Sequence, residues 1–389
     1  MDETTVRDEV RAWLRENWRP DRDRAEWLAA VVDAGYAAPR WPTEWYGRGL
    51  PSDLARVVEE EFAAAGAPGT GHDTTNLWAG TVVGFGSDEL KRRFLRPLLL
   101  GEHRMCLLYS EPGAGSDLAG LQTTAIRDGD EWVVNGQKVW TSGAAQADYG
   151  MLIARTDWDV PKHRGITFFF LPMKQPGVEV RPLRQITGDA RFNEVFLTDA
   201  RVPDANRVGE INNGWRVLQT ALAYERSVMG RSRGVVEGIP VPDLDLRDLA
   251  RDVGRAGDAS VRQEIAGLYA LRQVNEWNGQ RARAQLQQGS STPLVSLGKL
   301  AMSGILHTAG HLQGRLLGPE GTLDGDSSQR AADGNYSHLN AYFTSIGGGT
   351  DQIQRNIIGE RILGLPREPE VDKDVPFREV RRSTPPGVR

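Results

Sequence analysis

The sequence predicts an α+β protein of three consecutive parts: a helical domain at residues 1–104, a β domain at 105–205, and a second helical domain at 206–389 that ends in a charged tail. The distribution of apolar residues predicts this order, and the length of the chain allows it. Apolar residues recur every three or four positions in the outer parts, whereas short β-prone runs punctuated by Gly, Pro and Asp fill the middle part. A chain of 389 residues is also long enough for two or three domains.

The first part is predicted to be helical from its beginning. The apolar residues that recur four positions apart there are Val6, Val10, Leu14 and Trp18. The same periodicity returns over 54–65 and 88–99. Nothing near the N-terminus has the apolar core of a signal peptide, and no stretch approaches the roughly 18 uncharged apolar residues of a membrane span. We therefore expect no membrane segment.

The middle part is predicted to be a small barrel or sandwich rather than a βαβ sheet. Residues 131–142 form two β-prone runs around Asn135-Gly136, a dipeptide typical of a hairpin turn. Short strands are then expected over 165–173, 177–183 and 193–203. Several strands at such close spacing favour a barrel or sandwich.

The third part returns to long helical patterns. Helices are predicted over 214–236, 261–287, 293–317 and 351–363. Residues 238–260 are rich in Pro, Asp and Gly and predict a loop or a short helix. The charged, Pro-rich end after residue 365 predicts a loose tail or arm.

Composition excludes several classes of function. The net charge of −5 offers no basic field for nucleic acid or an anionic membrane. The single cysteine, Cys106, excludes an internal disulfide, suits a cytoplasmic location, and is predicted to be a buried structural thiol. His307 and His311 stand four residues apart, but no carboxylate separates them. We therefore expect them to serve helix packing, and we expect no metal site.

Two motifs in the middle part have the composition of a ligand site. Residues 107–120, LLYSEPGAGSDLAG, combine small residues that let a ligand approach the backbone with the hydroxyls of Ser110 and Ser116. A surface turn is an equal alternative. Residues 135–143, NGQKVWTSG, place Trp140 beside two hydroxyls, and an indole can stack on a flat heterocycle. The alternative is a core tryptophan with polar neighbours.

Two further features lie in the third part. Trp215, Leu218, Leu222, Glu225 and Met229 are spaced three and four apart, which puts a carboxylate in an apolar helical stripe. Burial raises the pKa of a carboxyl toward neutrality, as a general base requires, whereas a structural salt bridge is the alternative.

Arg226, the next residue along the chain, points about 100° away around the helix and need not neutralise Glu225. The second feature is SIGGGTDQIQR at 345–355, where three glycines precede a helix. Either a phosphate or carbonyl site or a flexible turn would explain them.

Three of these motifs, in this order and within a helical–β–helical chain, resemble the acyl-CoA dehydrogenases. They are YSEPGAGSD, NGQKVWTS and GGTDQIQR, and the resemblance covers almost the whole chain. It implies a noncovalent FAD enzyme with an N-terminal helical domain, a middle β-barrel and a C-terminal four-helix bundle. It also implies a homotetramer or dimer, with a hetero-oligomer as an alternative, and an electron-transfer flavoprotein or similar acceptor.

The resemblance also implies roles for particular residues. Acyl-CoA would be bound through Ser116, Arg226 and Gly348, with Ser116 and Gly115 placed where the flavin and the acyl chain meet. Trp140 would stack on the flavin and Ser142 would meet its N5 edge. The residues implied to contact FAD are Leu107, Tyr109, Ser110, Gly115, Ser116, Trp140, Thr141, Ser142, Thr350 and Gln352.

This sequence departs from the family pattern in ways that bear on the chemistry. The commonest terminal motif carries a catalytic Glu where Gly348 stands here. A second branch, which includes isovaleryl-CoA dehydrogenase, has its base just before an Arg on the first bundle helix, and Glu225-Arg226 matches that arrangement. Residues 315–321 also differ from the family's Gln and double glycine. The family's Arg-x-x-Phe cofactor clamp is missing as well, and Arg281 or Arg283 would have to replace it.

The implied reaction is α,β-dehydrogenation of an acyl-CoA to a trans-2-enoyl-CoA. Glu225 would remove the α-proton and the β-hydride would pass to flavin N5. One alternative is a flavin-dependent monooxygenase or oxidase on the same fold. Another is a non-catalytic subunit of a hetero-oligomer. Branched, aromatic and steroid side-chain thioesters all remain open as substrates, and Trp78 is a candidate boundary of the acyl pocket.

Overall fold

The computed structural model describes residues 2–69, 77–229, 245–287, 294–323 and 325–380. The chain divides into two compact units. The first comprises Met1–Arg184, Ala190–Tyr224 and Glu370–Arg389, and the second comprises Gln185–Asp189 and Glu225–Pro369. None of the helices in the described ranges is long and apolar enough to cross a membrane.

The described residues of the first unit open with five helices, and those at 3–17, 52–64 and 88–100 confirm the predicted periodicity. The five helices are α1 (Glu3–Asn17), α2 (Arg24–Asp33), α3 (Ser52–Ala64), α4 (Leu77–Phe85) and α5 (Asp88–Leu100). The side chains of Val6, Val10 and Leu14 are buried along α1. Glu61 of α3 is also buried, where it pairs with Arg7 and Arg11 of α1. These ion pairs and the apolar row together fix α1 against α3.

A seven-stranded sheet follows the helices and confirms the predicted β region. Its strands are β1 (Met105–Leu108), β2 (Thr124–Asp128), β3 (Glu131–Ser142), β4 (Tyr149–Arg155), β5 (Ile166–Pro172), β6 (Val178–Leu183) and β7 (Phe192–Pro203). They are ordered β1-β4-β2-β3-β7-β6, with β5 paired to β4. The three strands predicted after residue 165 are present, whereas β1, β2 and β4 were not predicted.

The central strands separate two apolar cores. Along β4, Met151 and Ile153 pack with the N-terminal helices, whereas Leu152 and Ala154 belong to a second core within the sheet. This alternation follows from the two-residue period of a strand. Both faces are therefore buried, so the strand is almost uniformly apolar and lacks the alternating pattern that marks a half-exposed strand. Cys106 of β1 lies in the second core, where burial raises the pKa of its thiol to about 12.

The predicted hairpin at Asn135-Gly136 is wrong. Residues 131–142 form one continuous strand, and the turn between β2 and β3 lies instead at Gly129-Asp130, where Asp128 pairs with Glu131. The pairing of β3 with β7 shifts register between Val134 and Gly136, so that Asn135 faces two residues of β7, Thr198 and Asp199, in a β-bulge. Asn135 exchanges two hydrogen bonds with Asp199 of β7, of 2.9 and 3.0 Å, which hold the bulge in the sheet.

The second unit is helical and confirms most of the predicted helices. It contains α7 (Leu246–Asp252), α8 (Ala259–Gln287), α9 (Leu294–Leu317), α10 (Gln329–Ile346) and α11 (Asp351–Arg361), after α6 (Gly214–Met229), whose first residues belong to the first unit. The α10 helix was not predicted. It packs through small residues such as Ala331, Gly334 and Ala341, which give no apolar periodicity. A side chain at Gly334 would meet Leu317 at 2.7 Å.

Candidate active site

The loop that follows β1 presents an open edge of backbone. Glu111 and Ala114 exchange two backbone hydrogen bonds of 3.0 Å, which close a tight turn around Pro112-Gly113. Ala114 is buried beneath this turn, whereas Gly115 and Ser116 are exposed. A Cβ built on Gly115 would meet no described atom within 4 Å. The positions predicted to bind ligand therefore border free space.

Trp140 projects from the sheet at a second bulge. Lys138 pairs with Val195 and Thr141 with Asn193, so two residues of β3 face one residue of β7. Trp140 adopts φ +60° and its residue surface is 57% exposed. A left-handed conformation is unfavourable for a bulky residue and is often found where function requires it. The bulge thus turns a large flat ring outward, where it can stack on a heterocycle.

The two hydroxyl-bearing residues that follow Trp140 differ in exposure. Thr141 is fully buried, and within the described residues its hydroxyl has no hydrogen-bond partner, although its carbonyl accepts from Asn193 Nδ2 at 2.9 Å. Ser142 is exposed. Exposure therefore alternates along this part of β3, and the Ser142 hydroxyl shares the outer face of Trp140 whereas the Thr141 hydroxyl lies in the interior.

A buried ion pair joins the two motifs, and the sequence analysis missed it. Lys138 is fully buried, and its Nζ donates to Glu111 Oε1 at 2.9 Å and to the Tyr109 carbonyl at 3.1 Å. Glu111 also accepts from the amides of Gln122 and Thr123. A charged residue in the middle of a β-prone run was the available signal, because a lysine in such a place is expected to have a partner.

The backbone completes the connection between the motifs. The Val139 amide, just before Trp140, donates to the Ser110 carbonyl at 2.9 Å. Tyr109 is buried, and its hydroxyl lies 3.8 Å from Met151 Sδ. Leu107 and Ser110 are partly buried on either side of it. The structure therefore brings both predicted cofactor motifs together on one edge of the first unit.

The three glycines of the second unit form the turn between α10 and α11. Gly348 and Gly349 have φ values of +66° and +89°, which favour glycine. Gln354 is buried and donates to the Gly348 carbonyl at 3.1 Å, and Thr350 caps α11 by accepting from Ile353. Gln352 is exposed. Backbone geometry therefore requires at least two of the glycines, whatever ligand they bind.

We expect Gly349→Ala to destabilise the second unit. Its Cβ would lie 2.9 Å from Gln354 Nε2 in a left-handed backbone, and such strain costs about 1–3 kcal/mol. Thermal unfolding of the full chain measures the effect. Gly304→Ala is the matched control, because Gly304 lies within α9 with open space around its Cβ. Equal melting temperatures for the two variants would contradict the prediction.

The α6 helix carries the candidate base. Leu218 and Ala221 are fully buried on this helix, and position 225 follows them by seven and four residues, in phase with the same face. The side chains of Glu225 and Arg226 lie outside the described residues. Tyr224, immediately before them, places its ring 3.0 Å from a Cβ built on Gly80 of α4.

The histidines and arginines of the second unit that the sequence singled out are placed as follows. His307 hydrogen-bonds Ser345 Oγ at 2.6 Å, and the rings of His311 and His338 meet edge to edge at 5.1 Å. Arg315 pairs with Glu264 at 2.6 Å. Arg281 is exposed, and the side chain of Arg283 lies outside the described residues.

Family models match the chain in three consecutive segments. The acyl-CoA dehydrogenase N-terminal, middle and C-terminal domain models match residues 1–102, 106–200 and 212–363. The acyl-CoA dehydrogenase IpdE1 of Mycobacterium tuberculosis is 36% identical over 393 residues, which cover 95% of this chain and 99% of that relative. The chain belongs to the acyl-CoA dehydrogenase family. The predicted family, fold class and enzyme class are thereby confirmed.

Other similar proteins extend the comparison. The acyl-CoA dehydrogenase FadE34 of Mycobacterium tuberculosis is 39% identical over 87% of this chain, which spans only 46% of that relative's length. A solved structure named Tcur3481-Tcur3483 steroid ACAD is 28% identical, with a TM-score of 0.71 and coverage of 95% and 100%. The ChsE4-ChsE5 complex from Mycobacterium tuberculosis is 31% identical, with a TM-score of 0.64 and coverage of 94% and 98%.

Proposed function

We propose that this acyl-CoA dehydrogenase binds FAD noncovalently and oxidises an acyl-CoA thioester to the trans-2-enoyl-CoA, with Glu225 as the α-proton base. The observation that carries the proposal is the outward indole of Trp140 together with the exposed hydroxyl of Ser142 on the same face of β3. The residues at this edge fit a flavin, because an exposed flat ring can stack on it and an exposed hydroxyl can bond one of its ring nitrogens.

We propose that residues of both motifs border the edge at which FAD binds. Leu107, Tyr109 and Ser110 border it from the β1 end, Trp140, Thr141 and Ser142 from β3, and Gly115 and Ser116 lie where the acyl chain enters. Thr350 and Gln352 would contact FAD, for which the FAD of a neighbouring subunit is the candidate. When bound, FAD supplies the acceptor for the β-hydride.

The chain's own residues would perform the proton chemistry. Glu225 accepts the proton from the substrate α-carbon, and Arg226 assists in binding the substrate. The Gly348 amide would donate to the thioester carbonyl oxygen, where negative charge develops as the proton leaves. A donor that is already oriented stabilises that charge most effectively when water is excluded. Because position 348 carries no side chain, the α-carbon is left to Glu225.

The test is an anaerobic titration of the purified flavoprotein with a panel of acyl-CoA thioesters. Bleaching of the flavin absorbance by one of them supports the proposal. Reoxidation by air without reduction by any thioester would indicate a monooxygenase or oxidase instead. Protein that stays colourless until co-expressed with a related chain would indicate a non-catalytic subunit. Turnover with an electron-transfer flavoprotein would identify the acceptor class.

We propose a steroid side-chain thioester as the first substrate class to test. The supporting observation is the similarity to a structure whose name describes a steroid ACAD, at 28% identity and over 95% of this chain. Straight-chain, branched and aromatic acyl-CoA thioesters, each at the same concentration, are the matched comparisons. Faster bleaching by a short straight-chain thioester would reject the steroid assignment without affecting the proposed reaction.

We also propose that the second unit forms a subunit interface. Its α8 helix exposes four large apolar side chains: Tyr269, Leu271, Val274 and Trp277. Monomeric surfaces rarely present such a group of apolar residues on one element. The ChsE4-ChsE5 complex is a structural relative named as an assembly.

We expect Trp277→Glu to reduce the assembled mass. The indole-bearing residue is 58% exposed, so the substitution should cost the isolated chain less than about 0.5 kcal/mol while placing a charge within the interface. Light scattering coupled to size-exclusion chromatography measures the mass, and Gln263→Glu, an exposed position near the start of the same helix, is the control for the added charge. A monomeric wild-type protein, or an unchanged mass for the variant, would contradict an interface at Trp277.

A further inference from the structure

The C-terminal segment at residues 370–380, here named the arm, is fixed to the first unit. The Phe377 amide donates to the Val160 carbonyl at 2.9 Å, and the Arg378 amide donates to the Trp158 carbonyl at 3.0 Å. Phe377 is only 2% exposed. The sequence left a loose tail or an arm open for this end of the chain. For these residues the structure decides in favour of an arm.

A buried cation lies directly beneath Phe377. The Arg155 guanidinium is 3.5 Å from the centre of the Phe377 ring, and Arg155 is fully buried. Its nitrogens donate to the carbonyls of Ala119 at 2.6 Å and Leu121 at 3.2 Å. Both carbonyls lie on the segment that follows Ser116. The Arg155 side chain therefore connects the arm to residues 119–121, which follow Gly115 and Ser116, the candidate substrate loop.

A second cation, Lys162, also connects the arm to the segment after Ser116, at a position closer to the candidate substrate loop. Lys162 Nζ lies 3.2 Å from Asp117 Oδ1 and 3.4 Å from Asp372 Oδ2. Asp117 directly follows Ser116, and Asp372 belongs to the arm. The Lys162 carbonyl in turn accepts from Arg155 at 3.0 Å. Arg155 and Lys162 thus form one bridge between the arm and residues 117–121.

We propose that the arm is a positioning element that orders residues 115–117 and thereby sets the affinity for acyl-CoA. The proposal rests on the proposed function, which places Ser116 where flavin and acyl chain meet. Gly115 and Ser116 are exposed, and a Cβ built on Gly115 would meet no described atom within 4 Å, whereas Asp117, Ala119 and Leu121 are tied to the arm through Lys162 and Arg155. Release of the arm should therefore increase the mobility of residues 115–117 more than it affects the groups that react.

The test compares full-length variants of the arm. Phe377→Ala removes the ring above Arg155, and Phe377→Leu keeps an apolar side chain there. Asp372→Asn removes one partner of Lys162. Asp374→Asn removes the same charge from an exposed position of the arm and is the matched control. Hydrogen–deuterium exchange over residues 113–123 and KM and kcat for the thioester that bleaches the wild type are measured for each.

Phe377→Ala should speed exchange over residues 113–123 and raise KM about three- to tenfold, in line with the loss of a desolvated cation–π contact. Its kcat should change less than about twofold, because a positioning role does not alter the reacting groups. Phe377→Leu should lie between this variant and the wild type. Asp372→Asn should raise KM by no more than about fivefold, since the pair is partly exposed, and Asp374→Asn should have no effect.

Two results would overturn the proposal. One is unchanged exchange over residues 113–123 in Phe377→Ala, and the other is faster exchange there with an unchanged KM. If Phe377→Ala does not fold, the comparison of Asp372→Asn with Asp374→Asn decides by the same criteria. If no thioester bleaches the wild type, the proposed function fails by itself, and exchange alone then decides whether the arm orders the loop.

Discussion

Glu225→Gln should abolish most acyl-CoA oxidation while FAD remains bound. A correctly placed general base contributes about 10²–10⁴-fold to the rate, and glutamine keeps the size of the side chain but cannot accept the α-proton. The measurement is the rate of anaerobic flavin bleaching in a stopped-flow experiment with saturating thioester. We expect the visible flavin spectrum of the resting protein to be unchanged.

A matched variant separates the base from a general effect of charge. Glu210 is exposed in the first unit, so Glu210→Gln should bleach at the wild-type rate. A normal rate in Glu225→Gln would remove Glu225 from the catalytic role and leave the rest of the cofactor assignment intact. Loss of FAD together with activity would assign Glu225 to structure rather than to proton transfer, as the salt-bridge alternative requires.

Lys138→Met should be the most destabilising of the changes near the cofactor edge. It leaves the carboxylate of Glu111, whose side chain is 8% exposed, without its cation. Breaking a buried pair from one side costs about 3–5 kcal/mol. The same change removes the side-chain contacts of the β3 strand with Tyr109 and Glu111 and leaves only the backbone bond from Val139 to Ser110, so FAD retention should fall as well. Denaturant unfolding and the flavin content after gel filtration measure the two effects.

The double variant Lys138→Met with Glu111→Gln gives a stringent control. It removes both charges, and glutamine still offers an oxygen to a backbone amide, so stability should recover in large part. Lys174→Met is the surface comparison, because Lys174 is 72% exposed and its pair with Asp148 should be worth less than about 1 kcal/mol. A single Lys138→Met variant as stable as Lys174→Met would show that the buried pair does not hold the motifs together.

The same pair predicts how stability depends on pH. Burial alone would raise the pKa of Glu111, but Lys138 and the hydrogen bonds from Gln122 and Thr123 hold it below its ordinary value. A carboxyl with a depressed folded pKa contributes its full stabilisation above the unfolded pKa of about 4.3 and loses it as the pH falls through the folded pKa. The melting-temperature difference between wild type and Glu111→Gln should therefore be constant near neutral pH and shrink below about pH 4.

The bulges show where sequence patterns and tertiary structure diverge. Asn135-Gly136 has the composition of a hairpin turn, yet hydrogen bonds to Asp199 on β7 keep it within one strand. A local pattern reports what a dipeptide can adopt, whereas a partner strand distant in sequence selects among those conformations. The same reasoning applies to Trp140, whose outward direction depends on a register shift against β7.

The sequence by itself determined the helical–β–helical order, the α1 core face, the strands after residue 165 and the family, because these depend on periodicity and on short motifs. Only the tertiary structure decided that Lys138 and Glu111 form a buried pair, that α10 packs through small residues, and that Phe377 lies on Arg155. Each of these joins residues far apart in the chain. Neighbouring residues cannot specify such a contact, since its free energy comes from burial and charge pairing that exist only once the chain has folded.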